Sequence, residues 1–202
     1  MKKIPTIFNR DSVKRNLVTE ERTEEFSWVF RGEGVATRKW DGTCCLVQDG
    51  ELYKRLDVKK GREKPEGFIP AQELDKITGH WPGWVKVDVA NNFVRDGELY
   101  KRYDVKKGDK KNSSDKWHMA AFYDFEGEDG TYELCGPKVQ GNPENLARHF
   151  LIKHGDWILH DVPRTFEGLK IWLSDMDIEG IVFHHPDGRM AKIKKKDFGL
   201  KR

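Results

Sequence analysis

Apolar and polar positions alternate in several short runs of this chain, the period-two pattern of half-buried strands. The clearest case is Val35 to Val47, VATRKWDGTCCLV, where Thr37, Lys39 and Asp41 alternate with Ala36, Arg38 and Trp40. A strand carrying Lys39 aims it to one side only. Gly42 then lets the backbone bend and approach a ligand closely. In CCLVQ-DG-ELYKRL, Asp49-Gly50 stands between two β-prone segments, a strong hairpin signal. Residues 61 to 84 are punctuated by glycines and prolines and read as a loop, with Phe68, Ile69, Trp81 and Trp84 as its anchors. WHMAAFYDF at 117 to 125 reads as a strand, and Asp129-Gly130 leads into another at Thr131 to Leu134. Residues 1 to 34 are polar and show no clear period.

The period then changes. Asn142 with Pro143 predicts a helix start and Gly155 its end, with Leu146, Ala147, Phe150 and Leu151 as the apolar face. Thr165 caps a second helix whose Leu169, Trp172, Leu173 and Met176 face inward. A hairpin from Ile181 to Lys195 closes the pattern. A turn centred on Asp187-Gly188 makes paired residue numbers sum to 375, so Phe183 faces Lys192 and Ile181 faces Lys194. Glu179, Lys192 and Lys194 then share one face, and a slip of one residue would separate them. Strands, two helices and strands again predict an α+β fold with antiparallel sheets, in one domain over residues 1–202.

One segment occurs twice. Asp49 to Gly61 reads DGELYKRLDVKKG and Asp96 to Gly108 reads DGELYKRYDVKKG, identical at twelve of thirteen positions. Two copies do not make a stacked repeat. The second is read as an inserted duplicate hairpin spanning residues 88 to 109, followed by the polar stretch DKKNSSDK.

Composition narrows the class. A chain of 202 residues with 37% hydrophobic and 35% charged residues is a globular protein with a wet surface. No apolar run approaches a membrane span, and the N-terminus lacks the apolar core of a signal peptide. The net charge of +3 is modest, but Lys192 to Arg202 holds six Lys or Arg against one Asp, either a solvated tail or a nucleic-acid contact. Cys44, Cys45 and Cys135 form neither a disulfide framework nor a zinc pattern, which fits reduced cysteines in a cytoplasmic protein. His184-His185 reads as structural rather than metal-binding.

The chemistry-bearing residues are a lysine before Asp-Gly (Lys39), a glutamate in a strand (Glu133), a glutamate before a strand (Glu179) and the pair Lys192, Lys194. A lysine can attack a phosphoryl group and hold a nucleotide covalently. At a reference pKa of about 10.4 it is neutral in only roughly one molecule in 2,500 at pH 7, so Lys39 needs cationic neighbours to release its proton. Lys192 and Lys194 can supply that field and also stabilise charge on a transferring phosphate. Glu179 is a candidate ligand for a divalent ion bridging the phosphates.

These residues resemble the ordered motifs of the covalent nucleotidyltransferases, the superfamily of ATP-dependent DNA and RNA ligases and mRNA-capping enzymes. Lys39-Trp40-Asp41-Gly42 matches the motif whose lysine takes up the nucleotide. Arg55 sits where these ligases keep a basic residue after the first hairpin. Glu133 in TYELCG matches the glutamate that contacts the nucleotide ribose. Glu179-Gly180-Ile181-Val182-Phe183 and Ala191-Lys192-Ile193-Lys194 match the last two motifs, whose lysines meet the phosphates. KWDGTCC, HWPGW, GNP and IEGIVFHHPDG resemble the vertebrate-type 5′-to-3′ RNA ligase family and its bacterial and phage relatives. The resemblance runs from about Ile4 to Leu200.

What it implies is a nucleotidyltransferase (adenylyltransferase) domain of antiparallel sheets flanked by helices. It also implies ATP and Mg²⁺ or Mn²⁺ as cofactors, and RNA with 5′-phosphate and 3′-hydroxyl ends as the partner. Lys39 would be the nucleophile, Asp41, Gly42, Arg55, Glu133, Lys192 and Lys194 the ATP-binding set, and Glu179 the metal ligand. Arg55 is favoured over Arg102 of the second copy by its distance from Lys39. With eight residues after Lys194, no C-terminal oligonucleotide-binding (OB) barrel is expected, which disfavours DNA ligation and capping. A noncatalytic RNA-end-binding module, or a ligase damaged by the duplicate hairpin, remain the alternatives.

Overall fold

The computed structural model describes residues 1–87, 92–95, 98–101 and 115–202. In chain order its strands and helices begin with β1 (Phe8–Arg10), β2 (Val18–Arg22), the single turn α1 (Ser27–Phe30) and β3 (Val35–Lys39). There follow β4 (Thr43–Gln48), β5 (Glu51–Val58), β6 (Ile69–Pro70), β7 (Trp81–Lys86), β8 (Asn92–Arg95) and β9 (Glu98–Lys101). The remainder are α2 (Asp115–Phe122), β10 (Gly130–Cys135), β11 (Phe150–Lys153), α3 (Phe166–Asp175), β12 (Gly180–His184) and β13 (Met190–Lys194). Antiparallel sheets with few helices make this a mixed α and β fold, as the pattern predicts. The chain divides into two compact units, Met1–Lys3 with Gly42–Lys153, and Ile4–Asp41 with His154–Arg202.

The first unit is a six-stranded sheet in the order β11-β10-β4-β5-β7-β6, with every pairing antiparallel. Asp49-Gly50 turns β4 into β5 as expected: Gln48 pairs with Glu51, and both turn residues have positive φ, 54° and 73°. One face buries Cys45, Val47, Leu52, Tyr132 and Leu134, with Met119 and Phe122 of α2 packed on it. Residues 117 to 122 are therefore helical rather than extended. His118, Met119 and Phe122 fall at helical spacing and turn one side of α2 to the sheet, which alternation could not do. The helix predicted from Asn142 is also absent. Asn142 and Asn145 have φ of 60° and 51°, which a right-handed helix does not admit. Asn142 instead exchanges hydrogen bonds with the backbone of Leu146, and Phe150–Lys153 adds to the sheet beside β10.

β8 and β9 pair as an antiparallel hairpin, Arg95 opposite Glu98, where the second DGELYKR copy falls. The rest of the 88–109 segment, Arg102 included, lies outside the described residues.

The second unit is built on a three-stranded sheet, β13-β12-β3, with the small ribbon β1-β2. Ile181, Phe183, Ala191, Ile193 and Ala36 point into a core shared with Phe8, Trp28 and the α3 residues Leu169 and Leu173. Thr165 caps α3 as its position predicts, its hydroxyl accepting the Gly168 N–H at 3.2 Å.

The register of the last hairpin differs by one from the expected one. Gly180 pairs with Lys194 and Val182 with Lys192, so paired numbers sum to 374. The turn has three central residues, Pro186, Asp187 and Gly188, closed by the His185 N–H donating to the Arg189 carbonyl at 2.9 Å. Gly188 takes the left-handed conformation, φ 89°, that this longer turn requires.

Candidate active site

The middle strand of the second unit sets the geometry. Gly180 lies between Lys39 on β3 and Lys194 on β13, so the three residues form one row across the sheet. A Cβ on Gly180 would come within 2.3 Å of the Ile193 carbonyl and 2.8 Å of the Lys194 Cα. Glycine is what allows β13 to approach this closely. The buried Thr37 hydroxyl donates to the Val182 carbonyl at 3.2 Å and ties β3 to the same strand.

Glu179 sits in the bend just before β12, outside the strand alternation. Its carboxylate accepts a hydrogen bond from the Lys39 ammonium on one oxygen, and its other oxygen lies 3.6 Å from the Lys194 ammonium. The Lys39, Glu179 and Lys194 side chains are only 21%, 15% and 14% exposed, so water screens these charges weakly. Lys39 also donates to the Trp40 carbonyl at 3.3 Å. Lys192 is held by its backbone, donating to Pro5 and accepting from Ile7 at 2.9 and 3.1 Å. Burial lowers its amine to about 8, and the charges of Lys194 and Lys39 push the same way. Burial also lowers the Lys194 amine, while Glu179 draws it back up.

The slipped register thus leaves the Glu179–Lys194 meeting intact. Glu179 reaches the lysines through the bend, and not through the strand periodicity from which the meeting was expected. Asp41 closes this stretch, 3.7 Å from Arg202, which also donates to Asp177 at 3.2 Å.

Gly42, Arg55 and Glu133 belong to the first unit. Gly42 donates its N–H to the Glu133 carboxylate at 3.1 Å. It approaches β10 so closely that a Cβ would meet the Leu134 carbonyl at 2.2 Å. Glu133 pairs across the sheet with Cys44, and Arg55 pairs with Trp84. Continuing the β4–β5 register sets Cys44 opposite Arg55, so Glu133, Cys44, Arg55 and Trp84 form one row on one face. The Arg55 guanidinium lies over the Trp84 ring at 4.8 Å and donates to the Met1 carbonyl at 2.7 Å. Burial lowers its pKa from the ordinary arginine value.

Other expectations resolve around these clusters. Lys195, part of the basic tail read as either solvated or a nucleic-acid contact, is buried; its ammonium donates to the Met176 carbonyl at 2.7 Å, just past the end of α3. Three like residues in a row conceal which one turns inward. His185 bears out a structural reading: it is braced by Glu33 and Asp187 at 3.2 and 2.8 Å and packs edge-on to Trp28. Trp40, Trp81 and Trp84 act as anchors: Arg38 stacks on Trp40 at 4.1 Å, Trp81 bonds the Gln72 carbonyl and Trp84 is buried. The loop expected over 61 to 84, however, holds β6 and the start of β7, because Trp81 to Trp84 pair with β5. The three cysteines are free thiols. Among the described residues no helix is long and apolar enough to cross a membrane.

Comparison with known proteins adds an independent line. The sequence model of the family described as RNA ligase 1 matches residues 59–202, a span holding Glu133, Glu179, Lys192 and Lys194. A mouse (Mus musculus) protein named RNA ligase 1 is 27% identical over 237 aligned positions, covering 91% of this chain and 72% of the mouse protein. Its rat (Rattus norvegicus) counterpart of the same name is 27% identical over 241, covering 91% and 73%. A zebrafish (Danio rerio) RNA ligase 1 is 29% identical over 222, covering 83% and 68%.

Proposed function

This chain belongs to the RNA ligase 1 family, and on that premise we propose that it is an ATP-dependent RNA ligase whose residues 1–202 act as one nucleotidyltransferase domain. It would join 5′-phosphate to 3′-hydroxyl RNA ends through a nucleotide held on Lys39. The observation that carries this reading is the Glu179 carboxylate set between the ammoniums of Lys39 and Lys194, with the depressed amine of Lys192 nearby.

In the first step the neutral Lys39 amine attacks the α-phosphorus of ATP. A nitrogen–phosphorus bond forms, the bond to the leaving pyrophosphate breaks, and the lysine proton passes to solvent. In the second, an oxygen of the RNA 5′-phosphate attacks the same phosphorus, the nitrogen–phosphorus bond breaks, and Lys39 takes up a proton from solvent and leaves as the amine. In the third, a 3′-hydroxyl attacks the 5′-phosphate phosphorus, AMP departs and the hydroxyl proton is released.

Each residue has a place in these steps. Lys192 and Lys194 gather phosphate charge at the face of the sheet from which Lys39 rises, where partial burial strengthens them. Glu179 holds the resting Lys39 in place as its ammonium; release of that pairing accompanies loss of the lysine proton. Glu133 and Arg55, aligned on one sheet face, are the proposed ribose and phosphate contacts. The Gly42 N–H fixes the Glu133 carboxylate. Asp41 and Gly42 complete the proposed ATP-binding set.

A divalent ion fits the donor set. Mg²⁺ commonly takes one or two protein carboxylates and fills its remaining positions with water and phosphate oxygens. Glu179 offers such a carboxylate among lysines that attract phosphate. Mg²⁺ or Mn²⁺ held there would neutralise charge on the transferring phosphate.

Sealing tests the reading: a nicked and a single-stranded RNA, each with 5′-phosphate and 3′-hydroxyl ends, incubated with ATP and Mg²⁺ or Mn²⁺. The parent should join at least one of them, and Lys39→Ala neither. Sealing by Lys39→Ala would overturn the assignment of the nucleophile.

A further inference from the structure

The second unit carries a cationic groove of which the proposed chemistry uses only Lys194. It encloses about 450 Å³ and is lined by Arg10, Arg15, Asn16, Lys194, Lys196 and Asp197, a volume in the range of small-ligand sites. Four of these six residues are cations and one is an anion. That anion is already engaged: Asp197, 1% exposed, accepts from Arg10 at 2.8 Å and from the Lys194 backbone N–H at 2.9 Å. Arg15 and Lys196 then line the groove as cations, together with Lys194, whose ammonium also faces the Glu179 carboxylate at 3.6 Å.

Its walls are held in place. The Asp11 carboxylate accepts the N–H groups of Val13 and Lys14 at 2.8 and 2.7 Å, and Leu17 bonds back to Lys14 and Asp11, closing the loop that presents Arg15 and Asn16. Arg10 joins the walls, donating both to the Asn16 carbonyl at 3.1 Å and to Asp197. Opposite, the 3-10 turn Lys195–Phe198 carries Lys196, anchored by the buried Asp197 and Lys195. A groove with fixed walls and excess positive charge is built for an anion with several negative oxygens.

Lys194 belongs to both sites. It lines this groove, and its ammonium lies 3.6 Å from the Glu179 carboxylate that holds Lys39. An anion in the groove is therefore linked to the proposed nucleophile through Lys194 and Glu179. We infer that the groove seats the 5′-phosphate end of the RNA strand to be activated, with Arg15 and Lys196 gripping the terminal phosphate. The inference rests on the ligase reading above and deepens it by naming where the acceptor binds. A terminal monophosphate carries nearly two negative charges near neutral pH and an internal phosphodiester one, so clustered cations favour the end. The triphosphate of ATP shares this chemistry, and the test separates the two.

The experiment measures binding of the full chain, without ATP, to a short 3′-labelled RNA bearing either a 5′-phosphate or a 5′-hydroxyl, and separately to ATP. The parent should prefer the 5′-phosphate by about tenfold, the loss expected for one charge-assisted contact. Arg15→Ala with Lys196→Ala should bring that ratio near one with ATP affinity held. Arg15→Lys with Lys196→Arg should restore the ratio. The charge-matched pair Lys138→Ala with Lys170→Ala should keep it, and thermal unfolding checks that every variant is folded. No preference in the parent, an equal loss for both RNAs, or a loss confined to ATP overturns the inference. Because no step here needs Lys39 to carry a nucleotide, failure of the ligase reading would appear separately, as absence of AMP on the parent protein.

Discussion

Lys39 and Glu179, 140 positions apart in the chain, meet as an ion pair because β3 and β12 lie side by side with Lys39 opposite Gly180. The pair has two opposing consequences. The carboxylate holds the lysine in place, and it also favours the ammonium, which cannot attack phosphorus. The resting arrangement therefore positions the proposed nucleophile in its unreactive form.

Replacing that carboxylate separates the two consequences. Glu179→Gln should shift Lys39 towards its neutral amine, and yet cut AMP transfer by about a hundredfold or more through loss of positioning and of the proposed metal ligand. Labelling by an amine-acylating reagent at pH 7.5, read at Lys39 by peptide mass, should be faster in the variant. Unchanged labelling would mean that the pairing does not control the lysine.

Lys192 predicts a pH dependence of stability. Its amine falls from 10.5 in the unfolded chain to about 8 in the folded one, chiefly through burial. Between pH 8 and 10.5 the unfolded chain holds this proton and the folded chain does not, so stability rises with pH across that window. Below pH 8 both states hold it and the cost of the buried charge is present in full. The gain amounts to about 3 kcal/mol. Urea unfolding at pH 8 and 10.5 should show it in the parent, and Lys192→Met should lack it; equal pH responses would contradict the burial account.

Gly180→Ala should be poorly tolerated, since its methyl would overlap the Ile193 carbonyl at 2.3 Å and force β12 and β13 apart. The expected loss is about 2 kcal/mol or more, with AMP transfer falling alongside because Lys39 and Lys194 flank that residue. Denaturation midpoints within error of the parent would show that the strands can give way.

Much of this arrangement is legible in the sequence. The Asp49-Gly50 hairpin, the Thr165 cap and the strand carrying Lys39 follow from local chemistry acting on a few adjacent residues. Long-range packing decides the rest. Trp117 to Phe122 alternates well enough for a strand, yet α2 forms because its apolar side must cover a sheet assembled from residues 43 to 58 and 130 to 135. Phe150 to Lys153 has helical spacing, but β10 offers an open edge and the two asparagines before it take left-handed turns. The hairpin at Asp187 shows how small the deciding detail can be: one extra turn residue moves the register by one. The Glu179–Lys194 contact survives because a bend, invisible to periodicity, carries Glu179.

Lys195 illustrates the same limit. Among Lys194, Lys195 and Lys196 only the middle one is buried, donating to the Met176 carbonyl. Lys195→Ala should destabilise the protein by about 1–3 kcal/mol, since it removes a charge-assisted hydrogen bond to the Met176 carbonyl. Urea unfolding of the variant checks it, and a change under a few tenths would mean that water replaces the ammonium.

The central claim is that Lys39 takes up a nucleotide, and intact mass reads this directly. After incubation with ATP and Mg²⁺ or Mn²⁺, the parent should gain the mass of one AMP and Lys39→Ala should gain nothing. A parent that stays unmodified with either metal, or a Lys39→Ala protein that still takes up AMP, would contradict the account.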